Sequence, residues 1–338
     1  MTAIPLHAQP APGPQDPMTA TPGRVPGSVR RTSSLDSSRP DGVPGPLLVD
    51  ARARDLVTGL DGAVVVREVR LRLTLDDTSR EIRAIESPPS LPDLDQLVGT
   101  AVVGGFRRVL GDLLPDERRD RTLAHLLLDD LPGATLVSGY GLMRSGQLDL
   151  VDRPRMAGEA IAGGMADLCA GWADDGAMLQ ATRATGVVPT PYGPPAPVIE
   201  DPDDSLSWHE MAPLVAHATR RRRRLDLGPA DAAGRHPVDV HFRDTYNGDD
   251  GETVVHEYTA LATVDAGSRQ LLALTPRAQV LPWQECPGAL VSATQLVGAT
   301  LDDLAITVRR ELVGITSCTH LNDTFRSLAD LTALLPLL

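Results

Sequence analysis

The sequence predicts an α+β fold: a strand-rich unit followed by helices, present twice in tandem, with the copies packed pseudo-symmetrically around a helical and proline-rich insert. Three observations carry this. Residues 54–80 match residues 243–269 without a gap, with 12 of 27 positions identical. Gln96-Leu97-Val98-Gly99 recurs downstream as Gln295-Leu296-Val297-Gly298, after ten more residues in the second copy. Hydrophobic residues make up 42% of the 338 positions but aromatics only 3%, so the cores are built from Leu, Val, Ala and Ile. A repeat at fixed spacing is the mark of a duplicated structural unit. Neither copy exceeds roughly 100 residues, so mutual burial would help both.

The elements follow in order. Residues 1–28 are proline-rich without apolar periodicity and are expected to be a disordered, dispensable arm. Residues 29–140 form the first, degenerate repeat, beginning with a polar stretch to Pro46. Asp61-Gly62 is a hairpin-turn dipeptide, and alternating Val69, Leu71, Leu73 and Leu75 place a strand over about 63–76. A short strand at 81–86 and a helix carrying Val103, Phe106, Leu110 and Leu113 complete it. Residues 141–235 read as the insert: a helical stretch at 156–185, prolines at 188–202, and five arginines, Arg220 to Arg224. Such a run reads as a solvated helix face or as internal ion-pair partners. The second repeat, 236–338, repeats the pattern with Asp250-Gly251 and strands at about 253–265 and 269–275. Thr300 is the expected N-cap of its helix, with Asp302 and Asp303 in the first turn and Arg309 and Arg310 in the last. Leu321, Phe325, Leu328, Leu331 and Leu335 predict a closing amphipathic helix from Thr319.

All 32 basic residues are arginine. Without lysine there is no Walker A loop, no PLP Schiff base and no lysine-dependent kinase or aldolase chemistry. Neither GxSxG nor a GxGxxG after a strand is present, which disfavours α/β-hydrolase and Rossmann readings. The formal net charge of −13 repels nucleic acid. Three cysteines are too few for a disulfide framework. No apolar run is long enough for a membrane helix and no secretory signal is visible, so a cytoplasmic protein without nucleic-acid or membrane partners is expected.

The chemistry-bearing residues gather in the second repeat. His256, Cys286, Cys318 and His320 offer two imidazoles and two thiols, a set suited to Zn²⁺ or another borderline-soft ion. Cys318 precedes an expected helix N-terminus, where a thiol can be activated as a nucleophile with help from His320. His256 with Asp244, across the Asp-Gly turn, suits general acid/base chemistry. Glu257, next to His256 on a strand, points to the other face. The first repeat keeps Asp55 and Glu68 but has Arg67 in place of His256, and it contains no cysteine. The same Cys and His residues also admit a purely structural reading, as small buried hydrophobes and satisfied polar groups.

The ordered set of Arg-Arg-Thr-Ser near the start, Asp244, His256-Glu257, Glu285-Cys286-Pro287 and Cys318-Thr319-His320-Leu321 resembles the uncharacterised bacterial family called domain of unknown function 2889. The resemblance is best over 240–331, with 30–140 as a diverged second copy, and it implies no activity. The sequence therefore leads to a small-molecule enzyme or binding protein with a His/Cys-lined, metal-binding candidate site in the second repeat. A non-catalytic ligand-binding or scaffold protein is the alternative.

Overall fold

Eight antiparallel strands form one sheet in the computed structural model, which describes residues 9–88, 90–148, 152–162 and 164–338. The strands are β1 (Ser28–Ser38), β2 (Leu47–Gly59), β3 (Gly62–Leu75), β4 (Ile82–Glu86), β5 (Thr219–Leu227), β6 (Arg235–Gly248), β7 (Gly251–Asp265) and β8 (Leu271–Val280). Their order is β4-β3-β2-β1-β5-β6-β7-β8, so two four-stranded meanders meet along β1 and β5. The fold is mixed α+β. Helices α1 (Phe106–Leu113), α2 (Pro115–Arg119) and α3 (Leu123–Ser145) follow the first meander. Helices α4 (Asp152–Ala162) and α5 (Ala177–Thr185) lie in the connection. Helices α6 (Leu301–Glu311), α7 (Thr319–Ser327) and α8 (Leu331–Leu334) follow the second meander. One apolar core joins β1–β3 to α1 and α3, and a second joins β5–β8 to α6–α8.

Both hairpins form where Asp-Gly predicts them, with Gly62 and Gly251 at φ 131° and 100°, a region that favours glycine. Both also carry a bulge at the same place. Asp55 pairs with Arg67 but Leu56 pairs with Val65; Asp244 pairs with His256 but Thr245 pairs with Val254. Thr300 caps α6 as expected, its side chain accepting from the Asp303 N–H.

The arginine run is where the sequence reading needs correction. Arg220–Arg224 are neither helical nor solvated: they form most of β5, which belongs to the sheet rather than to the insert. Each is buried and reaches a carboxylate. On the helix side Arg221 pairs with Asp244 and Asp323, and Arg223 with Asp130 of α3. On the opposite side Arg220 pairs with Asp36, Arg222 with Glu200, and Arg224 with Asp226 and Asp239. The internal ion-pair reading holds. The polar stretch after residue 29 is likewise a strand, β1, whose Arg30 binds Asp226 at 2.6 Å while Arg220 returns the contact to Asp36.

The arm also departs from expectation. Residues 1–8 lie outside the described residues, but the chain from Ala11 onward packs as an extended strap. The Gly13 N–H donates to the Leu281 carbonyl, and the Met18 N–H to Glu257 Oε2 at 3.0 Å. Arg243 donates to the Met18 carbonyl, and Trp208 Nε1 to Thr21 Oγ1. These buried polar groups need partners, and the arm supplies them. The helical stretch expected over 156–185 is broken instead: Gly164 and Asp167 sit at φ 72° and 61°, a 3-10 turn covers Ala170–Trp172, and helix resumes at Ala177. No helix among the described residues is long and apolar enough to cross a membrane.

Candidate functional site

Asp244 lies on β6 directly opposite His256 on β7. The period-2 alternation of the strands turns both toward the helices, while Glu257 faces the arm, bonded to His241 and Arg243. Helix α7 begins at Thr319 with Cys318 as its N-cap, so its first turn lowers His320 onto the strand pair. The two imidazoles stack, with centroids 3.6 Å apart and planes inclined by 17°. His256 Nδ1 and His320 Nε2 lie 3.8 and 3.7 Å from the same oxygen, Asp244 Oδ2. Among the described residues neither nitrogen has a hydrogen-bond partner.

The surroundings fix the charge state of this trio. Arg221 holds Asp244 from below with two bonds of 2.9 and 3.0 Å and reaches Asp323 at 2.7 Å. Burial nevertheless pushes Asp244 up to about 6, against the pull of Arg221. Burial, with Arg221 close by, brings His320 down to about 3; burial, His320 and Arg221 hold His256 well below the usual imidazole range. Both rings are therefore neutral near pH 7. Neutral imidazoles with a free lone pair are what metal ligation requires.

Neither thiol joins the ligand group: Cys318 touches only the far side of His320, and Cys286 stands apart. Cys318 Sγ lies 3.9 Å from the other ring nitrogen of His320 and accepts from the Tyr258 hydroxyl at 3.3 Å. Burial pushes the Cys318 thiol up despite that hydrogen bond and its place at a helix N-terminus, so it stays protonated. Cys286 is buried in the second apolar core, at the start of a 3-10 segment (Cys286–Leu296). Its sulfur fills space beside Gly171, and burial pushes its pKa well above the ordinary value. Of the expected ligands, then, His256 and His320 come together with Asp244. The donor atoms of these three lie within 4.8 Å of one another. The ten-residue excess near Trp283, Glu285 and Cys286 packs against the insert, where Glu285 accepts from the Ala177 N–H.

Arg221, Asp323 and Tyr258 complete the surroundings and were missed by the sequence reading. One sequence signal pointed to Arg221: Arg-Arg and Leu-Asp recur at the same spacing in residues 30–36 and 220–226. In the first half the corresponding pair is Arg31–Asp55 at 2.7 Å, with Arg67 where His256 stands.

Residues 219–334, from β5 through α8, match the model of a family described as "Protein of unknown function (DUF2889)". No curated protein and no solved structure matches the chain.

Proposed function

We propose that Asp244, His256 and His320 bind one divalent transition-metal ion, with coordination positions left open for a small-molecule ligand that the ion polarises. The observation that carries this is the pair of unpartnered imidazole nitrogens aimed at a single carboxylate oxygen. Buried nitrogens left without partners are costly, and an ion between them would satisfy both. Two imidazoles and one carboxylate suit Zn²⁺ or Fe²⁺ better than Ca²⁺ or Mg²⁺. Arg221, and Cys318 beyond the other nitrogen of His320, would orient the ligands from behind.

Binding requires a small rearrangement. Two imidazoles on one ion, with metal–nitrogen distances near 2.1 Å, keep their ring centroids about 4.5–5 Å apart. The stacked rings must therefore splay by about 1 Å. Both side chains are only slightly exposed, 13% for His256 and 11% for His320, and the two donor nitrogens are themselves buried, so the same splaying has to admit the ion.

The other half fits the reading of a diverged second copy. It has the same bulge and the same buried Arg–Asp pair, but the ligand positions are lost. Under this reading the first half serves as a scaffold and only the second carries the ion. Calorimetric titration of apo protein with Zn²⁺ tests the proposal. One equivalent should bind, and His256→Ala, His320→Ala and Asp244→Asn should each abolish that binding while leaving far-UV circular dichroism unchanged. Undiminished binding in all three variants would overturn it.

A further inference from the structure

The two halves differ most sharply at the outer edge of their long hairpins. In the second half, the edge of β7 is occupied by the chain's own proline-rich segment. The Val254 N–H donates to the Pro194 carbonyl at 2.9 Å, the Ala196 N–H donates to the Glu252 carbonyl at 2.8 Å, and Pro195 bridges Thr253. Gly193 approaches the Val254 carbonyl so closely that any Cβ would overlap it. Because only alternate residues of the added segment donate, prolines are tolerated at the rest.

In the first half the matching edge is open. Strand β4 pairs with β3 only from Arg72 onward, and among the described residues no segment pairs with the outer side of Gly62–Leu71. The consequence for the side chains is direct. Val64, Val65 and Val66 are 63%, 42% and 41% exposed, whereas the corresponding Val254 and Val255 are 0% and 3%. Leu60 at the hairpin tip is 91% exposed. Three adjacent apolar residues beside unpaired backbone form the kind of edge that proteins ordinarily blunt or cover.

We propose that the β3 edge at Ala63–Val66 is a docking site for an extended proline-containing segment of a partner protein. It would add a short strand as residues 193–196 do on β7. The Val65 N–H and the Ala63 carbonyl would take the places of the Val254 N–H and the Glu252 carbonyl. The bulge between Asp55 and Leu56 leaves Val66 as the extra residue on β3 and twists the edge at the end of this stretch. That twist suits a short segment and disfavours the long flat pairing that a second copy of β3 would need. A proline-rich segment is already extended, so little chain entropy is lost on docking.

The test uses full-length protein and a fluorescein-labelled peptide of residues 189–199 (Pro-Thr-Pro-Tyr-Gly-Pro-Pro-Ala-Pro-Val-Ile), read by fluorescence anisotropy. Saturable one-to-one binding is expected, with no binding of a scrambled peptide. Val65→Asp should weaken binding by about tenfold or more, since it places a charge in the apolar edge. It should leave the melting temperature unchanged, because Val65 supports no core. The proposal falls if the peptide does not bind, or if Val65→Asp binds it equally well, which would place the peptide on β7. It also falls if sedimentation velocity finds a dimer that Val65→Asp dissociates, since a second copy would then own the edge.

Discussion

Replacing Arg221 with methionine removes the guanidinium that bridges the candidate ligand Asp244 to Asp323 of α7. Its own exposure is 1%, and Asp244 and Asp323 are both 0% exposed. Asp323 keeps Arg326 at 2.7 Å and Arg107 at 3.1 Å, so the loss falls mainly on Asp244. Stranding one member of a buried ion pair costs about 3–5 kcal/mol. For a chain of 338 residues that corresponds to a fall of about 4–7 °C in melting temperature. The effect depends on pH. Asp244 titrates near 6 in the fold against 3.8 when unfolded. A raised acid pKa contributes stability that is present below the unfolded value and lost as pH rises through the folded one. Without Arg221 that loss deepens, so Arg221→Met should be worse at pH 8 than at pH 5. Urea denaturation at both pH values measures this, together with the double variant Arg221→Met/Asp244→Asn. The double variant should recover stability relative to Arg221→Met, because no charge is left stranded. A single-variant loss under about 1 kcal/mol, or strictly additive losses, would refute the account of Arg221 as counter-charge.

Other outcomes follow from the same geometry. Burial lowers His125 from 6.5 to about 4, so the unfolded chain takes up a proton that the fold refuses, and stability falls as pH drops through that window. His125→Gln should flatten the stability–pH curve between pH 6.5 and 4, measured by urea midpoints. Deleting residues 1–22 strips Met18 from Glu257 and Arg243 and Thr21 from Trp208, so the melting temperature should drop by several degrees in scanning fluorimetry; an unchanged value would restore the disordered-arm reading. Gly193→Ala forces a methyl into the Val254 carbonyl and should cost more than about 1 kcal/mol while speeding proteolysis of the 187–200 segment.

What the sequence made legible follows the range of the interactions. The hairpins and the α6 cap rest on contacts between near neighbours: Gly62 and Gly251 closing two-residue loops, Thr300 bonding Asp303. Strands β1 and β5 were illegible because arginine and serine read as solvated until their partners are known. Those partners are far away in the chain, with Asp130 lying 93 residues before Arg223 and Asp36 lying 184 before Arg220. The arm was illegible for the same reason, since its proline-rich backbone is ordered by Glu257 and Arg243 more than 220 residues on. His256, His320 and Asp244 could be named as candidates by residue type. That the thiols would fall outside their group could not be read, because Cys286 is drawn into the core beside Gly171 by the packing of the insert.

In the proposed site two imidazoles and one carboxylate, and not the thiols, hold the ion. Titrating apo protein with Co²⁺ and recording its absorption from the near ultraviolet to the visible tests this directly, because thiolate ligation adds an intense charge-transfer band that nitrogen and oxygen ligands lack. The account predicts one equivalent of bound Co²⁺, visible d–d bands that vanish in His256→Ala and His320→Ala, and no sulfur charge-transfer band. A strong near-ultraviolet band that disappears in Cys286→Ser or Cys318→Ser, or no bound Co²⁺ at all, would contradict it.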